Sequence, residues 1–151
     1  MLPGCSIFYS RPNTNKVSQF KQDVSVGTED ISIAAVGLVG VPYRYGGNTP
    51  KGGFDCSGLI GYVYLKSANI KLPRTIQDMS SKGKGIENQP PAPGDLIFFN
   101  TTGEKYSHAG IYVGQGRFVH APSAGGTVRL EQIENPYWAA RFTEARRLTP
   151  Q

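Results

Sequence analysis

Chemistry-bearing residues are scarce in this chain: its 151 residues include two cysteines, two histidines and a single tryptophan. The cysteines stand in dissimilar surroundings, Cys5 in a polar, Pro/Asn-rich leader and Cys56 at the opening of an apolar segment, so they do not make a disulfide framework. No apolar stretch approaches the ~20 residues needed to span a bilayer. No run of Lys and Arg is longer than two, and no nucleic-acid partner is expected. Phosphate-binding loops are missing as well. "GGNTPKGG" lacks the GK[ST] ending and "GQG" stands alone, so no cofactor is expected.

What is present fits one folded domain. A chain of this length can bury about 70% of its unfolded surface, enough for a core without staples. Charged residues make up only 18%, which is not the composition of a disordered chain. Eight Tyr and seven Phe favour a β-rich globular domain. The formal charge of +5 suits an anionic neighbourhood, such as phospholipid headgroups or cell-wall polymers, or serves solubility alone.

Residues 1–27 show no sustained period and read as an arm or tether, with the domain proper over 28–151. "TEDISIAAVGLVG" (28–40) offers a Thr28 cap, acids in the first turn and apolar positions at helical spacing. "VPYRYGGNTPKGG" (41–53) reads as a loop. A second helix is expected to begin around Asp55–Cys56, with Leu59, Ile60, Val63 and Tyr64 on one face, and "LPRTIQDMSSKG" suggests a short third. The period then switches. "DLIFFN", "SHAGIYVG", "GRFVHA", "GTVRLEQ" and "ARFTEARRL" are short β-type runs divided by turn residues. The expected architecture is α+β, with N-terminal helices packed on one face of a five- to six-stranded antiparallel meander.

Cys56 admits three readings: inert core thiol, disulfide partner or nucleophile. A nucleophile acts as the thiolate, which the positive end of a helix and its unpaired N–H groups favour. It also needs an imidazole base and a third group to orient that base. The two histidines, His108 and His120, flank the hairpin "HAGIYVGQGRFVH". A two-residue turn at Gln115–Gly116 pairs Ile111 with His120 and sends His108 to the opposite face. A three-residue loop, Gly114–Gln115–Gly116, pairs Gly110 with His120 and Tyr112 with Phe118. His108 then lies on the same face within diagonal range. Gly116 supplies the left-handed residue such loops want, and Gly110 leaves room for a ring, so the three-residue loop is expected.

The segments "YRYGG", "FDCSGLI", "LPRT", "PGDLIFF", "SHAGIYVG", "FVHAP" and "NPYWAARFTEARRL" resemble the NlpC family of cell-wall cysteine peptidases, over about residues 30–148. The resemblance implies a papain-like fold, with Cys56 as nucleophile, His108 as general base and His120 as the third, polar residue. It places Tyr43 where a phenol helps to hold the oxyanion. It further assigns Asp55 and Ser57 to the amine end of a peptidoglycan stem peptide, and Arg74 to carboxylates. Asp55 equally fits a helix cap, Tyr43 a core aromatic and Arg74 a surface ion pair. "TPKGGFDC" is one residue longer than the family's usual loop, which bears on the reach of Tyr43. Acyl transfer and non-catalytic wall binding are further activities of the same fold.

No metal is implied. Cys56, His108 and His120 could be imagined as zinc ligands, but a carboxylate or second thiol is not close in sequence. The start "MLPGCS" resembles the end of a bacterial lipoprotein signal, with Cys5 as the lipidated residue, although the preceding hydrophobic stretch is not in the sequence and an ordinary exposed thiol fits too. On that reading the protein is a monomer in the periplasm, anchored to the outer membrane through Cys5.

Overall fold

The computed structural model describes residues 28–148; the arm over 1–27 and its Cys5 lie outside the described residues. The chain runs through α1 (Thr28–Gly37), a small hairpin of β1 (Asn48–Thr49) and β2 (Gly53–Phe54), α2 (Cys56–Ala68) and α3 (Ile76–Met79). Then come β3 (Lys84–Gly85), β4 (Leu96–Phe99), β5 (His108–Gly114), β6 (Arg117–His120), β7 (Arg129–Gln132), α4 (Pro136–Arg141) and β8 (Phe142–Arg147). The expected α+β order holds, with six strands in the main sheet.

Helix α2 follows from its sequence. Asp55 takes extended backbone and its carboxylate accepts the Gly58 N–H, the geometry of an N-cap. Asn69 closes the other end in the left-handed conformation (φ 54°), returning its N–H to the Leu65 carbonyl. The apolar stripe Leu59, Ile60, Val63 and Tyr64 is fully buried. Burial of each such aliphatic side chain stabilises the fold by about 1.5–3 kcal/mol. These residues pack with Ile31 and Ala35 of α1 against Phe98, Ala109, Ile111 and Val119 of the sheet.

The sheet departs from a simple meander. Strands β4, β5, β6 and β7 are consecutive neighbours, but β8 returns to lie between β3 and β4. Arg147 at the end of β8 forks onto the buried Asp95 carboxylate before β4, at 3.0 Å for both N–O pairs. Such a planar, two-bond contact fixes where the returning strand docks. The run expected as one strand from Ala140 instead spends Ala140 and Arg141 in α4, and the 41–53 segment expected as a loop contributes the β1–β2 hairpin. Nor is the second face of the sheet bare. Ile97, Phe99, Tyr112, Phe118 and Ala145 form a satellite cluster there, covered by Ile86, Ile133 and Trp138.

The β5–β6 connection differs from expectation in form while keeping its register. Gln115 (φ 55°) and Gly116 (φ 72°) make a two-residue turn, both left-handed as tight hairpins require. A bulge between Tyr112 and Gly114 absorbs the odd residue, so Tyr112 pairs with Phe118 and Ile111 with Val119. Gly110 therefore falls opposite His120. A Cβ there would come within 2.6 Å of Phe118 Cδ2, 2.9 Å of the Val119 carbonyl and 3.3 Å of His120 Cβ. Gly110→Ala is expected to destabilise the domain by about 1–3 kcal/mol in urea denaturation, the usual cost of overpacking; an unchanged midpoint would contradict the close approach.

Candidate active site

The hairpin register delivers two imidazoles to one face. His108 Nε2 and His120 Nδ1 lie 2.8 Å apart, the rings nearly perpendicular at 78°. His120 is 0% exposed and His108 only 6%. His108 Nδ1 carries no hydrogen bond among the described residues. Burial pushes the His108 imidazole down to about 4. Burial, then the neighbouring His108 and Arg129, push His120 down to about 3. Both rings are therefore neutral at ordinary pH, and a neutral His120 can accept a hydrogen bond from the His108 N–H where an imidazolium cannot.

Trp138 was not singled out from the sequence, yet it caps this pair. Its indole stacks on His108 at 5.6 Å and meets His120 edge-on at 4.8 Å. It arrives on α4, which Asn135 caps through the Tyr137 N–H and Pro136 opens. "NPYWAAR" is a legible helix start, with Asn at the cap and Pro at the first turn. Its placement over the histidines is not legible, because it depends on where β8 docks.

Cys56 is the first residue of α2, partly buried and free. Its thiol makes no hydrogen bond to either imidazole among the described residues. The helix start by itself favours the thiolate. Burial, then the adjacent Asp55 charge, raises the thiol pKa above its ordinary value. The N–H groups of Ser57 and Cys56, and the Arg74 charge, pull the other way without prevailing. The resting sulfur is thus a protonated thiol whose ionisation the helix start assists.

Asp55, Ser57 and Arg74 are bonded to one another, the cap and ion-pair alternatives for Asp55 and Arg74. The Arg74 guanidinium spans both Asp55 oxygens, at 3.1 and 2.9 Å, and also donates to Ser57 Oγ. Asp55 additionally accepts the Gly58 N–H at 2.7 Å and the Gly46 N–H at 3.0 Å. Burial alone would raise the Asp55 carboxyl, but the Arg74 fork and these N–H groups outweigh it and hold it low. Cap and ion pair are thus the same residue. With Arg74 half exposed, the pair is worth no more than about 1 kcal/mol.

Tyr43 is held by backbone on both sides, through its N–H to the Gly126 carbonyl and a parallel bridge to Phe54. The segment "TPKGGFDC" forms the turn and second strand of the β1–β2 hairpin and leads into α2. Burial, then electrostatic interaction with Cys56 and Asp55, raise the Tyr43 phenol above its ordinary value, so its O–H stays protonated.

These residues lie within a recognisable family pattern. Residues 40–147 match the NlpC/P60 family. The chain belongs to that family. It is 40% identical over 116 residues to "Murein DD-endopeptidase MepH" of Escherichia coli, covering 74% of this chain and 43% of that protein. It is 35% identical over 149 residues to "Probable endopeptidase NlpC" of Escherichia coli, covering 98% of this chain and 93% of that one. A crystal structure of an NlpC/P60 family protein from Bacillus cereus superposes with a TM-score of 0.73 at 32% identity, covering 82% of this chain and 40% of that one. The chain thus spans less than half the length of MepH, and nearly all of NlpC. The papain-like α+β fold expected from the sequence is the fold of this family.

Two outcomes follow from the buried pair. Both histidines titrate below their unfolded value of 6.5, so the stability they contribute is present above pH 6.5 and lost as pH falls toward about 4 and about 3. Each can supply a slope of up to about 1.4 kcal/mol per pH unit. Urea denaturation is expected to show stability declining from pH 6.5 to 4.5 and His120→Gln to reduce that decline; a level wild-type profile would contradict the burial. Trp138→Ala is expected to cost about 2–3 kcal/mol and to raise both imidazole pKa values in an NMR titration. Unmoved titration curves would show that the indole does not desolvate the rings.

Proposed function

We propose that this protein is a cysteine endopeptidase that hydrolyses peptide bonds in peptidoglycan, with Cys56 as nucleophile, His108 as general base and His120 as its orienting partner. The observation that carries the reading is the 2.8 Å contact between His108 Nε2 and His120 Nδ1, which leaves His108 Nδ1 as the unbonded nitrogen of a neutral, buried base. The helix-start position of Cys56 and the family's murein endopeptidases support it.

His108 Nδ1 takes the Cys56 proton as Sγ attacks the amide carbon of the substrate. Because thiol and imidazole are both neutral at rest, this transfer accompanies the attack and does not precede it. The tetrahedral oxyanion accepts from the Tyr43 O–H and from the Cys56 backbone N–H. The His108 imidazolium then donates its Nδ1 proton to the leaving amine, the C–N bond breaks and a thioester remains. Water, giving a proton to His108, attacks the thioester carbon. Collapse of that second intermediate releases the carboxylic acid, and the proton returns to Cys56 Sγ. Asp55, Ser57 and Arg74, already joined beside the nucleophile, bind the polar end of the stem peptide. The bond cut is the D-alanine–diaminopimelate cross-link, as the name of MepH suggests for that relative. The substrate places the protein in the cell envelope.

Digestion of purified peptidoglycan followed by mass spectrometry of the fragments tests this. New amine ends at the cross-link are expected, with loss of about a thousandfold or more in Cys56→Ala and His108→Ala. Cleavage between D-glutamate and diaminopimelate would move the specificity to that bond. New linkages in place of new amines would make the protein an acyltransferase, and an unchanged digest with retained binding would make it a wall-binding module.

A further inference from the structure

The His120 ring is fully buried, and its Nε2 has no hydrogen-bond partner. That atom is not pointed at apolar packing alone. Glu131 Oε1 stands 3.8 Å from it. Glu131 lies on β7, where Arg129 pairs with His120 and Glu131 with Phe118, so the carboxylate reaches His120 along the diagonal of the ladder. Arg129 Nη2 approaches the same oxygen at 3.4 Å. The remaining groups against His120 are His108 on β5, Phe118 on β6 and the Trp138 indole on α4. Among the described residues Glu131 is the one anion against His120.

A neutral imidazole has one N–H, and its position on His120 decides what His108 can do. With the proton on His120 Nδ1, that nitrogen donates to His108 Nε2, and His108 must carry its own proton on Nδ1. His108 then has no lone pair to offer a thiol. With the proton on His120 Nε2, His120 Nδ1 accepts from the His108 Nε2–H, and His108 Nδ1 becomes the free base. The second arrangement leaves a buried Nε2–H that needs an acceptor, since an unsatisfied donor costs about 1–3 kcal/mol. Glu131 Oε1, at 3.8 Å, lies just beyond hydrogen-bond range of that atom, and a small side-chain rotation would bring it within range.

We infer that Glu131 is a positioning residue that locks His120 in its Nε2–H tautomer and thereby holds His108 as the Nδ1 base, extending the Cys56–His108–His120 row by a fourth member. Its bearing on catalysis rests on the peptidase reading above; the tautomer itself does not.

With two histidines in the chain, long-range proton–nitrogen NMR at pH 7.5 reads each imidazole directly. Wild type is expected to show both rings protonated at Nε2 and bare at Nδ1. Glu131→Ala, and Glu131→Met as a longer side chain without an acceptor should the alanine variant unfold, are expected to move both protons to Nδ1. On a cross-linked muropeptide, kcat is expected to fall at least about tenfold with KM little changed, a wrong-tautomer loss one residue further out than the triad acid. Glu131→Gln keeps an accepting oxygen and is expected to retain the wild-type tautomers and most of kcat. Wild-type tautomers in both Ala and Met variants would overturn the inference, whether kcat holds or falls. A tautomer shift in a protein that cuts no peptidoglycan would instead sink the peptidase reading and leave the lock standing.

Discussion

The contact between His108 and His120 depends on a single residue of strand register. Without the bulge before Gly114, the two-residue turn would put the rings on opposite faces of the sheet. The bulge thus does for the site what the longer loop would have done. Gly110 completes the arrangement, since Phe118 and His120 occupy the space its side chain would need. A local irregularity in one hairpin and the absence of one Cβ therefore bring the two rings together.

Burial then sets the chemistry available to the residues. It depresses both imidazoles and raises the thiol, in each case favouring the uncharged form. A buried thiolate–imidazolium pair would have to recover two desolvation penalties, whereas the neutral pair carries neither. The two charged residues beside the thiol are satisfied by one another. Arg74 and Asp55 neutralise each other at the start of α2, and the same carboxylate caps the helix that presents Cys56.

The sheet supports its two faces by different means. Toward the helices, aliphatic side chains of α1 and α2 bury Phe98, Ala109 and Ile111. On the other face the aromatic rings of Phe99, Phe118 and Trp138 surround the histidines. This second layer exists because the chain, after β7, crosses through α4 and returns as β8 beside β4, where Asp95 binds Arg147. Trp138 comes to the rings on α4, the helix that leads directly into this returning strand.

Local rules were enough for much of this. The Asp55 cap, the apolar stripe of α2 and the later strand segments up to β7 follow from spacing and turn chemistry within short windows, whereas the same-face placement of His108 and His120 was reached by a bulge in place of the expected longer loop. What those windows could not contain is equally specific. The strand order around β8, the Trp138 cover, the Glu131 diagonal and the protonated state of Cys56 each depend on groups distant in sequence. Helix caps and alternation are properties of neighbouring residues, and so the chain carries them in its letters. Desolvation and cross-sheet contacts are properties of enclosure, and only the assembled fold decides them.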